Sequence, residues 1–208
     1  MQETDWNVQE KCGTIFVFSS QGRREARMHM TGIWGTDVVL WDILCCTVVA
    51  MPLLWYLYRA DRMFRMDSDW NIKRLLQLAG VGAAASILFR VILEQFGMPG
   101  YESVKQNLLT ENRGLQAIVL LGASPVLEEF FFRGVLYERV KRVIGIKRGM
   151  ILTALLFGLY HANVSQGING FFMGMYLAWC MERYQTVKAP ITVHITANLA
   201  AICMDWLL

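Results

Sequence analysis

Six apolar runs follow a polar opening of 37 residues. They cover about 38–58, 75–96, 115–138, 150–164, 168–183 and 189–208. A bilayer core asks for roughly 20 apolar residues per helical span. Four of the runs meet that length. The fourth and fifth are shorter, which predicts helices that tilt against neighbours or stop short of a full crossing. Backbone polar groups in lipid must pair within the segment, so the runs are predicted to be helices. The fold class expected is all-α, a polytopic membrane bundle of about six helices spanning 38–208. Small residues recur at Gly170, Gly174 and Ala178, a spacing that lets a second helix approach closely.

Polar positions between the runs set the orientation. Arg59, Arg62, Arg65, Lys73 and Arg74 follow the first run, and Arg139, Lys141, Arg142, Lys147 and Arg148 follow the third. By alternation these two loops share a side, and positive loops stay in the cytosol. The multi-pass chain is therefore expected in the cell membrane with its site opening toward the cytosol. The opening 1–37 then falls outside, against its own Arg23, Arg24 and Arg27. It reads as a tail lying on the membrane surface, or as a start-site extension ahead of Met28 or Met30. It lacks the apolar core of a cleavable signal peptide.

Composition agrees with lipid as the solvent. The chain is 55% hydrophobic and 18% charged, against about 25% charge in soluble domains. A net charge of +3 is too small for a nucleic-acid binder. The five cysteines include no C-x-x-C pair, so neither a disulfide framework nor a cysteine zinc site is expected.

Against that background the charged and polar groups inside the runs stand out, because each costs about 2.5–3.5 kcal/mol to insert. The third run carries Glu128, Glu129 and Arg133, the fourth His161, and the sixth His194 and Asn198. Glu129 and Arg133 are one turn apart and are expected to pair. Glu128 points about 100° away from that pair and lacks the arginine partner. His194 and Asn198 are one turn apart and present donors the same way, and Phe157 and His161 share another face. At 1.5 Å per residue, Glu128, His161 and His194 lie roughly 15, 16 and 8 Å in from the cytosolic side, so the three can meet. Arg90 and Glu94 in the second run read as a packing pair.

The run Pro125-Val126-Leu127-Glu128-Glu129-Phe130-Phe131-Phe132-Arg133 resembles the E-E-x-x-x-R motif of the CAAX-protease and bacteriocin-processing (CPBP) family of intramembrane proteases. Phe157 to His161 resembles its F-x-x-x-H motif, and His194 to Asn198 its H-x-x-x-N motif. The three occur in the family's order. The resemblance implies an intramembrane endopeptidase similar to the prenyl-protein CAAX endopeptidase of the Rce type. It implies Glu128 as the base for an attacking water, His161 as a second holder of that water, and His194 and Asn198 as oxyanion donors. Glu129, Arg133 and Phe157 would support them.

No serine or cysteine stands in a nucleophile arrangement, so water is the expected nucleophile and no cofactor is expected. Glu128, His161 and His194 are also a legitimate zinc set, which leaves a zinc-dependent protease open. A non-catalytic membrane scaffold or immunity protein is another alternative. So is a proton-coupled transporter, although no internal repeat supports it. The expected partners are membrane lipids and a membrane-associated peptide or protein, prenylated or bearing a leader or sorting signal.

Overall fold

The computed structural model describes residues 38–62, 71–95, 112–161 and 163–207. The opening 1–37 lies outside them. Among the described residues all regular structure is helical, in six helices. They are α1 (Val38–Arg62), α2 (Ile72–Gln95), α3 (Arg113–Ile144), α4 (Ile146–Tyr160), α5 (Val164–Tyr184) and α6 (Lys188–Leu207).

Three of them, α1, α2 and α3, are long and apolar enough to cross a membrane. The protein is a membrane protein. Large apolar side chains face outward along α1 and α2, with Val49 79% and Leu76 65% exposed. Water would penalise such a belt and lipid does not. The α3 helix is different, with much more of its apolar stretch buried inside the bundle. The α1, α4, α5 and α6 helices pack on it, and α2 packs on α6.

Local chemistry sets the boundaries. Asn112 caps α3 by accepting from Leu115 N at 3.0 Å. Asn163 caps α5 by accepting from Gln166 N at 3.2 Å, both satisfying donors that a helix start leaves open. Gly145 breaks α3 from α4 with φ +86°, a conformation glycine adopts without penalty. The fourth helix therefore starts at Ile146, earlier than its apolar run, and carries Lys147 and Arg148 in its first turn. It also ends earlier, so His161 is its C-cap rather than a residue inside it. The fifth helix begins at Val164 rather than 168. The side chain of Glu94 lies outside the described residues; Arg90 is buried.

Ion pairs fix the directions of the helices. Asp61, at the end of α1, holds Arg139 at 3.0 Å and Arg142 at 3.6 Å near the end of α3. Lys141 bridges Glu138 at 2.9 Å and Glu182 of α5 at 2.7 Å. Tyr137 donates to Glu182 at 3.0 Å. So α1, α3 and α5 all end on the same basic side of the bundle, as the loop charges imply. Trp55 and Tyr58 of α1 pack on Phe130 with ring centroids 5.7 and 5.2 Å apart. Tyr58 Oη also accepts from Val187 N at 3.5 Å. The buried turn at Thr186 and Val187 thus starts α6 inside the bundle rather than at its rim.

Glycines let α4 and α5 approach closely, as Gly82 does for α2 against Val193 of α6. A Cβ placed on Gly158 would stand 2.5 Å from Gly167 O, and one on Gly170 would stand 3.1 Å from Gly158 Cα. Gly170 does what its spacing predicts. Its partner glycines, Gly158 and Gly167, are less conspicuous in the sequence.

Candidate active site

A change of helical register lies beneath the site. The α3 helix is π-helical at Val119–Ala123 and again at Phe130–Tyr137. Glu128 and Glu129 occupy the short α-helical stretch between. Such π turns recur at functional sites. Hydropathy does not predict them, because it reports which face is apolar and not which carbonyl each N–H reaches.

Proline at 125 gives the first of these turns a physical cause. In the first π turn Ser124 N–H donates to Val119 O, five residues back. The same register would require residue 125 to donate to Leu120 O, and proline has no N–H. Leu120 O is thereby left without a helical donor. Asn198 Nδ2 of α6 fills the place at 2.9 Å. Asn198 and His194 therefore do not present donors to a common point through all their protons. One N–H of Asn198 ties α6 to the broken turn of α3, and one remains.

Glu129 is fully buried and accepts twice on one oxygen. Arg133 Nη1 and His194 Nδ1 each stand 2.8 Å from Glu129 Oε1. The pair that the one-turn spacing predicts is present, and it also orients an imidazole from another helix. Arg133 lies with its Cζ 4.1 Å from the Phe157 ring centroid, and Nη2 donates to Gly174 O at 3.4 Å. Phe157 thus covers one face of the guanidinium and sets its edges against His161 and His194, at 4.9 and 5.9 Å. An aromatic ring over a desolvated guanidinium is worth up to about 2 kcal/mol.

Both histidines are fixed by the same logic. A carboxylate or a carbonyl can only accept, so the nitrogen facing it carries the proton. His194 Nδ1 donates to Glu129. His161 Nδ1 donates to Phe157 O at 2.8 Å. In each ring Nε2 is the nitrogen not engaged in these bonds. His194 Nε2 stands 3.9 Å from Glu128 Oε2.

Glu128 differs from the expectation of an unpartnered carboxylate. Its Oε1 accepts a hydrogen bond from Ser124 Oγ, one turn earlier. Its Oε2 is buried and has no hydrogen-bond partner among the described residues. Ser124 lies outside the three motifs and is not among the residues that the sequence singles out. The one-turn spacing from Glu128 was the signal available.

The residues gathered around Glu128 are therefore Ser124, Glu129, Arg133, Phe157 and His194. Asn198 stands a turn away on its tether, and His161 joins through Phe157. Among the described residues no three His, Cys, Asp or Glu side chains form a set that could hold a metal ion. Glu128 and His194 approach each other, but His161 is not brought to a common point with them. As placed, these residues do not fit a zinc site.

Comparison with known proteins bears on the same stretch. Residues 110–200 match the model of the Rce1-like family, type II CAAX prenyl endopeptidases. A candidate membrane peptidase of Bacillus subtilis (strain 168), YdiL, is 23% identical over 202 residues, covering 92% of this chain and 80% of its own. No solved structure matches the chain. The matched stretch contains every residue described around Glu128; the family is named for an endopeptidase and the relative for a membrane peptidase. Through residues 110–200 this membrane protein is similar to the Rce1-like family of type II CAAX prenyl endopeptidases, and along most of its length to a membrane peptidase.

Proposed function

We propose that this protein is an intramembrane endopeptidase of the glutamic type, in which water attacks the peptide carbonyl and Glu128 is the base. The observation that carries the reading is Glu128 Oε2. It is buried, has no hydrogen-bond partner among the described residues, and faces His194 Nε2 at 3.9 Å. A carboxylate oxygen kept bare in an apolar interior is costly. Glu129 Oε2 is bare as well, but that carboxylate is committed through its other oxygen to Arg133 and His194; Glu128 Oε2 faces an imidazole Nε2 with no cation paired to it, as the partner of a reactant would.

The chemistry balances without any other group. Glu128 Oε2 takes a proton as the water oxygen bonds to the carbonyl carbon. The carbonyl oxygen becomes an oxyanion, which accepts from His194 Nε2–H and from the free N–H of Asn198. Glu129 balances the imidazolium this requires. The oxyanion then collapses, the C–N bond breaks, and Glu128 returns its proton to the departing nitrogen. A separation of 3.9 Å between base and oxyanion donor suits two groups that serve the two oxygens of one tetrahedral centre. His161 holds the water from a second side through Nε2. Preorganised donors of this type contribute about 3–4 kcal/mol each in measured cases. Arg133 and Phe157 hold Glu129, and through it His194.

The reading includes no metal. The substrate class is a membrane-associated peptide or protein, and the family name makes a prenylated C-terminal peptide the first probe and a leader or sorting-signal peptide the second. The basic ends of α1, α3 and α5 support a cell-membrane protein whose site opens to the cytosol, since His194 is only six residues in from Lys188 at that end. The test is a panel of quenched-fluorescent peptides, farnesylated and unlipidated, offered to the full chain in liposomes. Wild type cleaves at least one of them, and Glu128→Ala retains less than a tenth of that rate. A folded Glu128→Ala protein above a tenth refutes the assignment of the base.

A further inference from the structure

The geometry points to Ser124 as a positioning residue, whose hydroxyl fixes the Glu128 carboxylate so that Oε2 is the oxygen that meets the water. The inference rests on the glutamic reading above and adds to it a residue outside the three motifs.

A glutamate side chain has three rotatable bonds, and its terminal torsion is broad and roughly two-fold. Nothing covalent decides which oxygen faces the reactant. The rest of the site does not decide it either. Glu129 Oε1 takes the nearest cation, Arg133, and the Nδ1 proton of His194. The Ser124 hydroxyl is the hydrogen-bond donor that Glu128 receives from among the described residues, and it goes to Oε1 alone. Oε2 is thereby turned toward His194 Nε2.

The placement of Ser124 follows from the broken turn. Its backbone N–H reaches back to Val119 O in the π register, while Pro125 follows it in the chain. A serine in an α-helix often returns its hydroxyl to the carbonyl one turn earlier. Here the hydroxyl goes forward to a carboxylate, and the charged acceptor makes the stronger bond. The same hydroxyl that holds Oε1 is itself held by a turn that Asn198 ties to α6. Base and oxyanion donor are referenced to one point of the scaffold.

The test uses the full chain in liposomes with the most rapidly cleaved peptide of the panel, comparing Ser124→Ala, Ser124→Thr and Glu128→Ala. A carboxylate free to rotate loses part of its near-attack geometry, and displacement of this size costs up to about 100-fold. Ser124→Ala is expected to lower kcat about 10- to 100-fold with KM within twofold of wild type and unfolding midpoint unchanged. Ser124→Thr, which keeps the hydroxyl, is expected to recover most of the loss. With Glu128→Ala inactive, a Ser124→Ala protein within twofold of wild-type kcat overturns the inference and leaves the base assignment standing. A Ser124→Ala protein as dead as Glu128→Ala, and not rescued by threonine, overturns it in favour of a serine nucleophile. A loss carried by KM, or accompanied by a lowered unfolding midpoint, overturns it in favour of a packing role. An active Glu128→Ala protein fails the underlying reading instead.

Discussion

Replacing Asn198 separates a structural duty from a chemical one, because the structure gives its amide a specified partner. Asn198→Ala removes the donor from Leu120 O, which Pro125 has already deprived of a helical N–H. A fully buried carbonyl left unpaired costs about 1–3 kcal/mol, and this one is half-buried. Hydrogen bonds between membrane helices average nearer 0.6 kcal/mol, since the reference state in lipid finds other partners. A loss of about 1 kcal/mol is therefore expected, read from reversible unfolding in mixed micelles as the SDS fraction rises. The decisive measurement is the double-mutant cycle with Pro125→Ala. Alanine restores an N–H at the position from which Leu120 O would be served, so Asn198→Ala should cost less in that background. A coupling of about 0.5 kcal/mol or more is expected between two residues that share one carbonyl. Strict additivity, within about 0.3 kcal/mol, would refute the account of the broken turn. In parallel, kcat of the single variant reports the remaining N–H. If that proton serves the oxyanion, kcat falls by about 100-fold or more, a loss too large to come from 1 kcal/mol of stability.

Other perturbations test the rest of the bundle. Glu129→Gln and Arg133→Met should each lower stability by about 3–5 kcal/mol, because either change strands a fully buried charge; wild-type unfolding in both would show that the pair contributes little. Gly158→Ala should lower stability by about 1–3 kcal/mol, since its new methyl meets Gly167 O across the α4–α5 contact. An unfolding midpoint equal to wild type would mean that the two helices are less closely apposed. Exhaustive treatment with EDTA and 1,10-phenanthroline should leave cleavage intact; loss restored by stoichiometric zinc would recast Glu128, His161 and His194 as ligands.

What the sequence made legible follows from where its signals arise. The six helices could be read because lipid forces apolar runs into helices, and the basic loops fixed which ends lie together, as Asp61 with Arg139 and Lys141 with Glu182 show. Glu129 with Arg133 could be read from spacing alone. The start of α4 at Ile146 could not, because Lys147 and Arg148 look like loop while the helix already includes them. The tether of Asn198 was hidden for a different reason. Its partner is a main-chain carbonyl, and side-chain identity records carbonyls only where a proline withdraws a donor. Pro125 was that mark, read only as part of a motif. The sharing of Glu129 by His194 was hidden as well, since spacing along one helix says nothing of a donor arriving from another.

The brevity of α4 acts on the surrounding bilayer. Fifteen residues at 1.5 Å each give about 22 Å, well short of a hydrocarbon layer of about 30 Å. Its outward side chains, among them Leu152, Leu155 and Leu159, are apolar, so lipid must meet them over a reduced height. Lipids beside a short apolar wall compress, or the headgroup layer dips toward it. Because α4 starts on the basic side with Lys147 and Arg148, the missing height falls at its far end, beside His161, so water would arrive there from the face opposite the one through which the peptide enters. A hydrolase buried in oil consumes one water per turnover, and the local thinning shortens the dry distance that water must travel. In the glutamic reading proposed above, the helix that fails to span thereby shortens the route of the attacking water.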